Sequence, residues 1–109
     1  MVLIRPAKTS DVKVIRELVD AYAAPGQMLA KETVTLFESV QEFSVAVDSD
    51  THEIVGCAAL HVLWEDLAEV RTVAVVERLH KTGIGHRLLE AVIERARELG
   101  IERLFCLTF

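Results

Sequence analysis

The sequence predicts an α/β layered domain, a mixed and mostly antiparallel sheet flanked by helices in the order β-α-α-β-β-β-α-β. Three observations predict it. Apolar residues recur at helical spacing in two segments, Val12 to Tyr22 and Ile84 to Leu99, with alternating or continuous apolar runs between them. Two of those runs, Ile54 to Trp64 and Leu67 to Val76, are separated only by Glu65-Asp66, too short for a crossover, so they must pair antiparallel. The last run, Leu104 to Phe109, follows a helix, which predicts a parallel return through a right-handed crossover.

Taken in order, Val2-Leu3-Ile4 is a short strand closed by Arg5-Pro6, because proline cannot donate to a ladder. Thr9-Ser10-Asp11 offers helix caps, and Val12, Ile15, Leu18, Val19 and Tyr22 place one apolar face on the helix that follows. Pro25-Gly26 stops it. Leu29, Val34, Phe37 and Val40 suggest a second, shorter helix. Phe43, Val45 and Val47 alternate as a strand, and Asp48 to Thr51 is turn chemistry. Gly56, inside the long apolar run, marks a bulge or a close backbone approach. In the clearest helix, Ile84, Leu88, Val92 and Ala96 form one row that Leu89, Ile93 and Leu99 widen, and Gly100 ends it.

Composition narrows the function classes. The 109 residues make one domain, 1–109, by the usual prior of roughly 100 to 200 residues. A hydrophobic fraction of 51% is enough for a core. Twelve Lys+Arg against 17 Asp+Glu leave a net charge of −5, which argues against nucleic-acid or anionic-membrane partners while allowing a local basic pocket. No apolar run reaches the roughly 18 residues of a membrane span, and Met1 to Pro6 is not the start of a secretory signal. Cys57 and Cys106 are far apart and form no CxxC pair, so we expect no metal, a reduced cytoplasmic setting, and both thiols in the core rather than acting as nucleophiles. Trp64 is expected to pack at its hairpin.

The chemistry concentrates between the strand ending near Val76 and the helix starting near Ile84. A helix's first turn presents unpaired N–H groups at the positive end of its dipole. Gly83 and Gly85 clear the side chains that would keep a phosphate away, and Lys81, His86 and Arg87 add positive charge. A diphosphate is the natural ligand. An NTPase loop would need Gly-Lys-Ser/Thr in that order, and Lys81-Thr82 precedes Gly83 instead. A dinucleotide fingerprint would need a small residue where Leu88 stands. A bare Gly-x-Gly could otherwise be only a helix entry turn.

Thr72-Val73-Ala74-Val75, Lys81-Thr82-Gly83-Ile84-Gly85-His86-Arg87 and the Leu88-Leu89 helix resemble the GNAT superfamily of acetyl-CoA-dependent N-acetyltransferases. The first position of that family's turn motif, Gln or Arg, falls here on His80. The resemblance implies that Val73, Ala74 and Val75 pair with the pantetheine arm of acetyl-CoA, and that amides from Lys81 to His86 (Thr82, Gly83, Ile84 and Gly85 between them) hold its pyrophosphate. Arg87 adds charge there, and the cofactor enters a splay between the Val70–Val76 and Leu104–Phe109 strands. More narrowly the chain resembles short amino-acid acetyltransferases of the N-acetylglutamate synthase type, through Leu36 to Phe43, Gly56 to His61, Glu69 to Val75 and Leu104 to Phe109. That implies acetylation of the L-glutamate α-amine for arginine biosynthesis, by direct attack in a ternary complex. The alternatives are a non-catalytic acyl-CoA-binding module and an enzyme for another small amine or a protein amine.

Such chemistry needs a proton acceptor, because the free α-ammonium is charged at neutral pH. Glu69 stands where several family members carry a general-base glutamate, its bland alternative being an ion pair with Arg71. His61 is the second candidate, since imidazole titrates in the useful range. Strand alternation would set Glu69, Arg71, Val73 and Val75 on one face. The acceptor's carboxylates call for cations, and Arg71, Lys31 and Arg5 are the candidates. The Val75 amide is expected to polarise the acetyl carbonyl. GNAT domains continue past this last strand with a helix and two more strands, so the chain is expected to be C-terminally incomplete. Its final strand would then be an apolar edge through which copies self-associate as a homodimer or larger assembly.

Overall fold

The structure is a computed structural model and describes residues 1–21 and 33–107. The strands are β1 (Val2–Pro6), β2 (Phe43–Asp48), β3 (Ile54–Trp64), β4 (Leu67–Val75) and β5 (Arg103–Cys106), and the helices are α1 (Val12–Ala21), α2 (Thr33–Glu38) and α3 (Ile84–Glu98). They form one five-stranded sheet in spatial order β1-β2-β3-β4-β5, antiparallel except for the parallel β4–β5 pair. This is the expected layered fold and chain order.

Each face of the sheet has its own core. Val12, Ile15, Leu18 and Val19 of α1, with Leu36 and Val40, pack on Phe43, Val45, Cys57, Ala59 and Ala74. Ile84, Leu88, Val92 and Ala96 of α3 pack on Ala46, Ala58, Leu60, Ala68, Val70 and Val75. Gly56 lets α3 approach: a Cβ there would lie 3.0 Å from Leu88 Cδ1 and 3.1 Å from the Ala74 carbonyl oxygen. Gly100, at φ 83°, ends α3. Its N–H donates to the Arg97 carbonyl and that of Ile101 to the Ala96 carbonyl, the paired 5→2 and 6→1 bonds of a Schellman turn. At the other end of the chain order, Asp11 anchors α1. Its carboxylate accepts Arg5 Nη1 at 2.7 Å, Arg5 Nη2 at 3.1 Å and the Lys8 N–H at 2.7 Å.

Several expectations are corrected. In α2 the buried apolar positions are Leu36 and, just beyond its end, Val40, while Val34 and Phe37 are exposed; Leu29, Tyr22 and Pro25-Gly26 lie outside the described residues. Leu89 and Leu99 are exposed, because a helix lying on a sheet buries only a narrow stripe. Cys106 is exposed, since β5 is an edge strand, and Trp64 at the hairpin tip is exposed too. β5 spans four residues, with no strand beyond its outer edge among the described residues.

The largest correction concerns β4. Cys57 pairs with Ala74 and Ala59 with Arg71, so Ala58 is opposed by two residues, Thr72 and Val73. Thr72 adopts φ 57°, a left-handed conformation that is strained for a β-branched residue. The extra residue ends the simple alternation. Arg71 stays on the α1 face with Glu69, whereas Val75 turns to the α3 face and joins Val70 in that core.

Two outcomes test this packing. Gly56→Ala should destabilise the protein by about 1 to 3 kcal/mol in urea unfolding, because the Ala74 carbonyl is backbone and cannot rotate away. The Arg5 guanidinium holds the Asp11 carboxyl below its usual range, chiefly through their hydrogen bond, so the native form prefers the ionised acid. That contribution is present above pH about 4, the unfolded value, and is lost as pH falls through the folded one. Asp11→Asn should therefore cost about 1 to 3 kcal/mol at pH 7 and flatten the acid limb of the stability–pH curve.

Candidate functional site

Two groups of residues meet along β4. The first is the turn leading into α3. Lys81 has φ 65° and Gly83 φ 90°, so left-handed residues flank Thr82 and fold the backbone back on itself. A Cβ on Gly83 would meet nothing within 4 Å, so this glycine is required by its backbone conformation rather than by crowding. The first bond within α3 runs from the Arg87 N–H to the Gly83 carbonyl, leaving the amides of Ile84, Gly85 and His86 ahead of it, and no side chain caps the turn. Alternating handedness followed by a helix start makes a concave set of donors suited to an anion. Two internal bonds fix the loop. Thr82 Oγ1 donates to the Leu79 carbonyl at 2.5 Å, and His80 Nε2 donates to the Val75 carbonyl at 2.8 Å.

A cleft of about 280 Å³ opens beside this turn, lined by Val73, Ala74, Val75, Leu79, His80, Lys81 and Gly85. Its wall is the far edge of β4. Among the described residues β5 pairs with Leu67 to Val70. The Val76 N–H donates to the Val55 carbonyl, so the Val75 carbonyl of the same trans peptide points to the opposite edge, where His80 meets its oxygen. His80 is thus an internal brace of the turn. Lys81 and Arg87 make no ion pair among the described residues, whereas His86 Nε2 lies 3.1 Å from Glu90.

The second group lies on the α1 face. His61 and Glu69 are direct partners across the β3–β4 ladder, so their side chains share a face. Glu69 is 7% exposed, and its Oε1 accepts Arg71 Nε at 2.7 Å. His61 Nδ1 lies 3.1 and 3.2 Å from the two oxygens of Glu42, in the turn just before β2. The structure therefore gathers Glu69, Arg71 and His61. It does not bring Arg5 to them: Arg5 sits on β1, with β2 and β3 between it and β4, and its guanidinium is committed to Asp11. Lys31 lies outside the described residues. Glu42 was not legible as a site residue, because only the tertiary fold carries it to His61.

Cys57 is buried, and burial pushes its thiol up to about 12; Sγ donates to the Thr72 carbonyl at 3.6 Å. It backs the bulge and offers no thiolate. Among the described residues no cluster of His, Cys, Asp or Glu could hold a metal, and no helix is long and apolar enough to cross a membrane. A larger cavity of about 830 Å³ lies between α1 and the start of β3, but two of its carboxylates are occupied, Asp11 by Arg5 and Glu53 by Arg78.

Comparison with known proteins places this geometry. A model of the acetyltransferase (GNAT) family matches residues 12–109. An amino-acid acetyltransferase of Mycobacterium tuberculosis is 50% identical over 108 residues, which are 98% of this chain and 62% of that protein. A crystal structure of a Mycobacterium tuberculosis protein in complex with CoA superposes with a TM-score of 0.92 at 50% identity, over 98% of this chain and 64% of that one. The N-acetylglutamate synthase of Neisseria gonorrhoeae, complexed with coenzyme A and N-acetyl-glutamate, gives 0.92 at 33% identity, over 99% of this chain and 25% of that one. The chain thus spans less than two thirds of the length of these relatives.

The turn can be tested without its natural ligand. A Cβ on Gly85 would touch only Val75 Cγ2 at 3.9 Å, so Gly85→Asp fits sterically. An acid in a helix's first turn stabilises the helix by about 0.3 to 1 kcal/mol. The variant should keep or raise its melting temperature while inorganic pyrophosphate no longer shifts the amide resonances of residues 82–86.

Proposed function

The chain belongs to the acetyltransferase (GNAT) family, and we propose that it transfers the acetyl group of acetyl-CoA to the α-amine of an amino acid, L-glutamate foremost. The observation that carries this reading is the arrangement along β4: a carboxylate, arginine and imidazole at one end, a donor-lined turn at the other, and the cleft lined by Val73, Ala74 and Val75 between them. From Glu69 to Val75 an extended strand would span about 20 Å. The two sites are joined by the strand itself.

Each residue has a role in this reading. The amides from Lys81 to His86 hold the pyrophosphate, with Lys81 and Arg87 supplying charge, and the edge formed by Val73, Ala74 and Val75 lies along the pantetheine arm. The open face at Gly83 and Gly85 fits such a group, because neither position is filled by protein. When bound, acetyl-CoA supplies an activated thioester. Arg71, half-exposed beside Glu69, faces an acceptor carboxylate. Glu69, directly or through one water, takes a proton from the ammonium. The neutral amine attacks the thioester carbon, the N–C bond forms and the C–S bond breaks. The thiolate takes the second nitrogen-borne proton, so each turnover yields amide, thiol and one proton left on the protein. The Val75 amide polarises the carbonyl during attack. A biosynthetic role toward arginine in the cytoplasm accompanies the glutamate reading.

Thiol release from acetyl-CoA, with and without L-glutamate, tests it. Glutamate-dependent release is expected, falling about 10² to 10⁴-fold in Glu69→Gln with the affinity for CoA retained. CoA binding with no acceptor-dependent release, in this chain and in a longer version of it, would instead identify a non-catalytic binding module. Release with another amine and none with glutamate would reassign the acceptor.

A further inference from the structure

A buried base has a problem that the mechanism above leaves open. Glu69 is 7% exposed and one of its oxygens is held by Arg71, so the proton it gains in each turnover must leave before the next. The residue directly across the ladder is His61, whose side chain is 32% exposed. Its ring is not free to choose a tautomer. The Glu42 carboxylate faces Nδ1 with both oxygens, at 3.1 and 3.2 Å, and an ionised carboxylate can only accept. Nδ1 must therefore carry the hydrogen, and the lone pair of the neutral ring must sit on Nε2. Nε2 has no hydrogen-bond partner among the described residues.

We propose that Glu42 is a positioning residue that holds His61 as the Nδ1–H tautomer, making Nε2 the station through which the proton gained by Glu69 passes to solvent. Protonated Glu69 gives its proton to Nε2, directly or through one water, and becomes a carboxylate again. The ring becomes an imidazolium with its Nδ1–H still on Glu42. Nε2 then releases that proton to water, and because Nδ1 is held, the ring returns to the tautomer it started from. One proton enters and one leaves in each cycle, with no other reactant. A plain surface pair of histidine and glutamate would need neither a fixed tautomer nor a place opposite the buried carboxylate.

The inference rests on the acetyltransferase reading and separates from it in one set of experiments. Glu42→Gln and His61→Asn are made in the full chain. Rapid-quench measurement of the first turnover is compared with steady-state turnover, and the tautomer of His61 is read from long-range ¹H–¹⁵N correlations in wild type and Glu42→Gln. Expected results are a first turnover within about twofold of wild type, a steady-state kcat reduced tenfold or more, KM values that fall along with kcat so that kcat/KM is nearly unchanged, and partial rescue of His61→Asn by added imidazole. Wild-type His61 should show the Nδ1–H pattern, and Glu42→Gln should show a mixture. An unchanged kcat in both variants would overturn the proposal while leaving the acetyltransferase reading intact. So would a first turnover that falls as far as the steady state, which means a structural or binding role. A wild-type chain that binds CoA but shows no acceptor-dependent turnover would remove the reading itself, and the relay with it.

Discussion

The extra residue in β4 is the constraint on which the rest depends. A regular strand would keep Glu69, Arg71, Val73 and Val75 on one face. The left-handed turn at Thr72 prevents that. Upstream, Glu69 and Arg71 look toward α1; downstream, Val75 packs under α3, whose first turn holds the donor-lined loop. One strand thereby serves two faces of the sheet. The strain at Thr72, of order 1 to 3 kcal/mol, is held in place by the sheet on one side and by the Cys57 thiol, which donates to the Thr72 carbonyl, on the other.

Beyond the bulge lies the cleft. Among the described residues the parallel pairing with β5 runs from Leu67 to Val70, and Val73, Ala74 and Val75 line the cleft. The tight approach of Leu88 to Gly56 fixes the depth at which α3 sits, and so the height of its first turn above the sheet. Packing, bulge and loop form a single mechanical unit, and each locates the next.

Much of this was legible in the residues, for local reasons. The turn at Glu65-Asp66, the stop at Gly100 and the narrow row Ile84, Leu88, Val92 and Ala96 are written in short-range chemistry, and the structure repeats them. Gly56 announced a close approach because a missing Cβ has few other uses inside a strand. The bulge was not legible, because Thr72-Val73 reads as ordinary strand and the φ at Thr72 is imposed by pairing on both sides. Glu42 reaches His61 only through the tertiary fold, so spacing could not show it. Arg5 was misread for a related reason: sequence shows a cation, and only the fold shows that Asp11 already holds it. Cys106 and the rims of α3 depend on where the sheet ends, which composition does not encode.

The loop before α3 carries one more consequence. Its shape is set by Thr82 on Leu79, by His80 on Val75, and by two left-handed residues. Ordering a free backbone residue costs about 1 to 2 kcal/mol in lost conformational entropy. Here that loss is incurred once, when the chain folds, and not again each time a ligand arrives. An anion arriving at this corner would therefore meet donors already in place, and side chains on the α1 face of β4 can change without reshaping the loop.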